Sequence, residues 1–118
     1  MKVYSLLILL SFSFLSNAQI LSDLIPSATA THVALSDGDW NNPATWISGE
    51  VPTDAAIVYI PNGIHVIYQN TSSDHIFAIR VDGIMSIIQN NSQDTTRLRV
   101  DTFVGTAGSR INIQANQQ

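Results

Sequence analysis

One short pattern returns three times between Val58 and Ile113: an apolar strand, a turn containing glycine, then a second apolar strand. It reads Val58-Tyr59-Ile60-Pro61-Asn62-Gly63-Ile64-His65-Val66, then Ile79-Arg80-Val81-Asp82-Gly83-Ile84-Met85-Ser86-Ile87, then Phe103-Val104-Gly105 through Gly108 to Ile111-Asn112-Ile113. No copy is long enough to bury its own apolar face, so each must be covered by a neighbour. Gly63 and Gly83 lie 20 residues apart and Gly83 and Gly108 lie 25 apart, the spacing of stacked coils. The pattern predicts an all-β fold: a right-handed β-solenoid or β-helix-like stack of short strands with one short N-terminal helical turn. Apolar alternation also suits a β-sandwich, and strand pairing separates the two. A solenoid lays Ile64–Val66 beside Ile84–Ile87 in parallel, whereas a sandwich forms antiparallel hairpins across Gly63 and Gly83.

Residues 1–18 stand outside this pattern. Met1-Lys2 gives a positive start, Val3 to Leu15 is a run of apolar and hydroxyl residues, and Ser16-Asn17-Ala18 places small residues at the cleavage positions. The segment reads as a secretory signal peptide cut before Gln19, which predicts a secreted or cell-surface protein. The run is shorter than the ~20 apolar residues of a membrane-spanning helix, so no membrane span is expected after cleavage. The remaining chain carries four arginines against nine acids. So few cations do not neutralise a phosphate backbone, which argues against nucleic acid as a partner and against anionic membrane. Because the chain has no cysteine, no disulfide can staple it, and core burial, ions or further stacked coils must supply stability.

Residues 19–34 mix a few aliphatics with Pro26 and Ser27-Ala28-Thr29-Ala30-Thr31, the composition of a spacer or a first edge strand. In the next stretch Asn42 can cap a helical turn and Pro43 fits its first position, where a missing N–H costs nothing. Ser48-Gly49 ends that turn, and Val51-Pro52-Thr53-Asp54 imposes an extended step and a turn. From Ala56 to Ile60 both alternating faces are apolar, as in a strand covered on both sides. Pro61, Gly63, Gly83, Gly105 and Gly108 join Gly49 and Pro52 as the expected turn residues. Farther on, Leu98, Val100 and Thr102 alternate with Arg97, Arg99 and Asp101, a half-exposed strand with its charges outward. Residues 114–118 offer nothing that would cap a stack, so the chain is expected to be the N-terminal part of a longer polypeptide with further domains.

The ordered set Trp40 and Trp46, Gly49-x-Val51-Pro52, Ile60-Pro61-x-Gly63 and Val81-x-Gly83 resembles the G-eight domain, an extracellular family of paired β-strands with a short helix. The resemblance covers residues 35–113, and Ala55 stands where the family often places a glycine. It implies an extracellular module with a structural or polysaccharide-contacting role, and it carries over no catalytic residue. Two further readings come with it: the leading domain of a polysaccharide-degrading enzyme of hyaluronidase-like or lyase-like type, and part of an adhesin-like surface protein.

Several side chains are candidates for chemistry. Trp40 and Trp46 have flat faces that suit the apolar side of a pyranose, though both precede the first strong strand, where a plug over the end of the stack belongs. Asp37, Asp39 and Asp54 are hard oxygen donors of the kind calcium takes, but Asp37-Gly38-Asp39 is only a fragment of a loop motif and turn chemistry explains these residues more simply. His32, His65 and His75 lack zinc-site spacing. Glu50 is the single glutamate, no nucleophile or phosphate-loop motif occurs, and the sequence offers neither a catalytic set nor a cofactor motif.

Overall fold

The computed structural model describes residues 24–89 and 95–115. The segment 1–18, expected to be a signal peptide, and the polar terminus at 116–118 lie outside them. Eight strands form: β1 (His32–Val33), β2 (Gly38–Asp39), β3 (Ile57–Ile60), β4 (His65–Tyr68), β5 (His75–Val81), β6 (Ile84–Ile88), β7 (Arg99–Gly105) and β8 (Arg110–Gln114). Among the described residues two single 3₁₀ turns, Ser27–Thr29 and Pro43–Thr45, are the helical parts. Odd-numbered strands make one parallel sheet in the order β1-β3-β5-β7, and even-numbered strands make a second in the order β2-β4-β6-β8. Successive odd–even pairs wind into a β-solenoid of about three turns, with β1 and β2 contributing only two residues each at its start. The pairing rules out the sandwich: β4 lies parallel to β6 with Val66 beside Met85 and Tyr68 beside Ile87.

The apolar alternation explains why the sheets face one another. Val58, Ile60, Ile79 and Val81 from one sheet meet Val66, Tyr68 and Met85 from the other in a single buried cluster, to which Trp40, Trp46, Ala34, Ala56 and Ile76 also belong. No winding is covered by itself; the dry interior exists because consecutive windings stack, which is the expectation for repeats of this size. Gly63 adopts φ +85°, a region that costs L-residues about 1–2 kcal/mol. Gly83 serves a different purpose: a Cβ there would collide with the backbone oxygens of Pro61 and Ile64 in the winding before, so the coils can approach only because it has no side chain. Gly105 is the last residue of β7 rather than part of the turn after it.

Two details differ from the sequence reading. The N–H groups of Phe77 and Ala78 both donate to the carbonyl of Ala56, at 3.0 and 3.3 Å. Two residues therefore oppose one, a β-bulge that resets the alternation within β5. Ile76 points inward, Phe77 is expelled, Ala78 lies on the outer face and Ile79 returns to the core. β7 follows the same path, so Leu98, Val100 and Phe103 pack on the core while Asp101 and Thr102 are both exposed; Thr102 does not share a face with Val100. The second difference concerns the segment before β1. Ile25 is buried outside the first sheet against Ala78, Val104 and Ile57, so residues 24–30 form a strap over that sheet, and the edge strand itself is only His32–Val33.

Candidate functional site

The two ends of the solenoid are unlike. At the first, Asn42 Oδ1 accepts from the N–H of Ala44 at 3.0 Å and Pro43 occupies the first position of the 3₁₀ turn, as the sequence predicts. That turn delivers Trp46 onto the open edge of β1 through an antiparallel bridge to Ala34. Trp40 stacks edge-on with Trp46 at 5.2 Å and with Tyr68 at 5.1 Å, and the Trp46 indole N–H donates to the Trp40 carbonyl at 2.9 Å. Both indoles are 2% exposed. Both are packed into the end of the stack, where Trp40 also borders an open depression of about 340 Å³ with Asp39, Asn41, Asn42, Ile67 and Gln69. His32 lies edge-on to Trp46, and its burial lowers the imidazole pKa, with Glu50 opposing that shift.

The aspartates are distributed among turns. Asp37 Oδ1 accepts the N–H of His65 at 2.8 Å, and Asp54 Oδ1 accepts the N–H of His75 at 2.6 Å, so each satisfies the first backbone donor of a strand in the following winding. Asp39 Oδ1 accepts from the side-chain amide of Gln69 at 3.0 Å. Among the described residues no three His, Asp or Glu side chains converge as a metal site would require.

Stacking also assembles contacts the sequence conceals. His65 Nε2 and Ser86 Oγ lie 2.8 Å apart, and Asn112 Nδ2 reaches the same hydroxyl at 3.4 Å. A nucleophile–base pair has that separation, but Ser86 is buried and no described cavity opens on it, so the trio is a ladder tying three windings together. On the outside of the first sheet, Arg80 binds Asp82 through two nitrogens at 3.0 and 2.9 Å, while Tyr59 and Thr106 hydroxyls donate to the same carboxylate at 2.8 and 2.7 Å. Desolvation acts to raise the Asp82 pKa, but the hydrogen bonds from Arg80, Thr106 and Tyr59 and the Arg80 charge outweigh it, leaving the carboxyl below its ordinary value.

Another open surface is the flank around Phe77. The bulge leaves its ring 52% exposed. On one side Asp54, Ala55, His75 and Asp101 line an open depression of about 360 Å³. On the other, a second of about 180 Å³ runs between the strap residues Leu24, Pro26 and Thr29 and the sheet residues Ile57 and Thr102. His75 Nε2 meets Asp101 Oδ1 at 2.6 Å. Among the described residues, the second oxygen of Asp54 and that of Asp101 have no protein partner. Sequence reasoning missed this flank. The available signal was the unbroken apolar run Ile76-Phe77-Ala78-Ile79, which no strictly alternating strand explains.

No protein-family model, curated protein or solved structure matches the chain.

Proposed function

We propose that this chain is a non-catalytic, exported β-solenoid module of the G-eight type that forms the leading part of a longer extracellular polypeptide and contacts polysaccharide. The observation that carries the reading is the asymmetry of the stack. The first end is sealed by Trp40, Trp46 and Tyr68. At the last end the inward-facing residues of β8, Ile111 and Ile113, are 40% and 78% exposed. A closed head and an apolar tail make a module on which a further winding can stack, since uncovered apolar faces of repeat proteins are covered by the next repeat or by a cap. The acidic balance supports an extracellular partner other than phosphate-bearing polymers. No described helix is long and apolar enough to cross a membrane, which is compatible with export.

Binding of 1-anilinonaphthalene-8-sulfonate to the folded chain tests the open tail. The dye should bind, and an Ile111→Lys/Ile113→Lys double variant should lose most of that signal while keeping its melting temperature. A folded chain that binds no dye would remove the argument for a stacking tail.

A further inference from the structure

The geometry points to the flank around Phe77 as a binding site for an uncharged polysaccharide chain. The inference deepens the reading above, in which the module contacts polysaccharide, by naming the site and the ligand class.

Three observations converge on it. The Phe77 ring stands half open to solvent in mid-strand, and the backbone itself puts it there: the double acceptance at the Ala56 carbonyl turns Phe77 away from a core that its neighbours Ile76 and Ile79 enter. Such a ring offers a flat apolar platform for the C–H face of a pyranose. Around the platform stand groups of the opposite character. Asp54 and Asp101 belong to the windings before and after that of His75, and each has one carboxylate oxygen committed to that histidine and one open. Paired acceptors beside an aromatic face are the complement of a sugar, whose hydroxyls donate at the rim of an apolar ring. Finally, depressions lie on both sides of Phe77, so the platform sits mid-path rather than at the end of a pocket, as suits a chain longer than one sugar.

Charge selects within the class. The ionisable side chains lining the larger depression are Asp54, Asp101 and a histidine already held by Asp101. Arg99, the residue that pairs with His75 in β7, directs a guanidinium nitrogen to the Ser73 carbonyl at 3.5 Å. A uronate would meet two carboxylates with no cation aimed at it. A neutral glucan meets acceptors only.

Isothermal titration of the intact exported chain with cellohexaose and laminarihexaose, and with hyaluronan and alginate oligosaccharides of similar length, tests the inference. A neutral hexasaccharide should bind, Phe77→Ala should weaken it about tenfold, and the acidic oligosaccharides should give flat titrations. Because Phe77 is outside the core, its replacement should leave the thermal melt unchanged. Asp54→Asn/Asp101→Asn keeps the amide oxygens as acceptors and should let the acidic oligosaccharides begin to bind. Wild-type preference for the acidic oligosaccharides, unchanged affinity in Phe77→Ala, or flat titrations with all four ligands would each overturn the assignment. The dye experiment on Ile111 and Ile113 is independent of these titrations, so failure of this site and failure of the module reading are told apart.

Discussion

Replacing Gly83 by alanine should be among the most damaging single-methyl additions in the protein, and the reason lies in stacking rather than in the turn. Gly83 has no positive φ, so alanine meets no penalty from its own backbone. Its Cβ, however, would fall under 3.0 Å from the Pro61 and Ile64 carbonyl oxygens and 3.2 Å from the Ile64 nitrogen, all backbone atoms of the preceding winding. Those atoms cannot swing aside as a side chain would; Ile64 is held by the hydrogen bond from the Ile84 N–H to its carbonyl at 2.9 Å. Overpacking typically costs 1–3 kcal/mol, and a clash against two backbone oxygens belongs at the top of that range, about 3 kcal/mol. At about 4–8 °C per kcal/mol for a domain of this size, the melting temperature should fall by roughly 12–24 °C. Gly63 is the internal control. A Cβ there meets nothing within 4 Å, but φ is +85°, so alanine should cost about 1 kcal/mol and asparagine, which tolerates that region, only about a few tenths. Thermal melts followed by circular dichroism on Gly83→Ala, Gly83→Asn, Gly63→Ala and Gly63→Asn give the comparison. If Gly83→Ala melts within a few degrees of wild type, or if asparagine rescues position 83 as it does position 63, the windings are not in backbone contact there and the reasoning fails.

Three further outcomes follow from named contacts. Trp46→Ala should cost about 3–5 kcal/mol by opening a cavity in the cap, and both indoles of the wild type should resist acrylamide quenching; quenching as efficient as that of free tryptophan would contradict their burial. Ala55 sits at φ +64°, so Ala55→Gly should relieve about 1–2 kcal/mol of strain against an entropy cost of about 0.5–1 kcal/mol and raise the melting temperature slightly; a lower melting temperature would mean the strained conformation is not adopted. Stability should fall on acidification in two steps. Below 6.5 the unfolded state protonates His32 before the folded state does, and below 3.8 it does the same with Asp82, because both pKa values are lowered by folding. His32→Gln should remove the first step and Asp82→Asn the second, read from urea midpoints against pH.

How much of this was legible in the sequence depends on which kind of contact is asked about. The return of the strand–glycine–strand unit pointed to parallel stacking, and the expected pairing of Ile64–Val66 with Ile84–Ile87 is the one the fold has; which face of Ala56–Ile60 turns inward was not legible, because both faces are apolar. Local capping was equally plain, since Asn42 and Pro43 act within three residues. What stayed hidden depends on the winding above or below. Gly83 reads as a turn residue, yet its value is the approach of a backbone some 20 residues earlier. Asp37 and Asp54 read as loop aspartates or calcium donors, yet each caps a strand 28 or 21 residues away. The bulge at Phe77 breaks alternation by one residue, and a rule built on strict alternation places that ring in the wrong environment. Trp40 and Trp46 could be read as a sugar platform or as a plug; their packing with Tyr68 buries both side chains, and only the fold brings Tyr68 to them.

Nuclear Overhauser contacts in an isotope-labelled sample test the central claim most directly, because parallel stacking and hairpin pairing bring different residues together. Side-by-side windings predict contacts of Val66 with Met85, of Tyr68 with Ile87 and of Ile60 with Val81. Antiparallel ladders instead, with Val58 against Val66 across Gly63 and Ile79 against Ser86 across Gly83, would contradict the stacked interior on which the cap, the open tail and the Phe77 flank all depend.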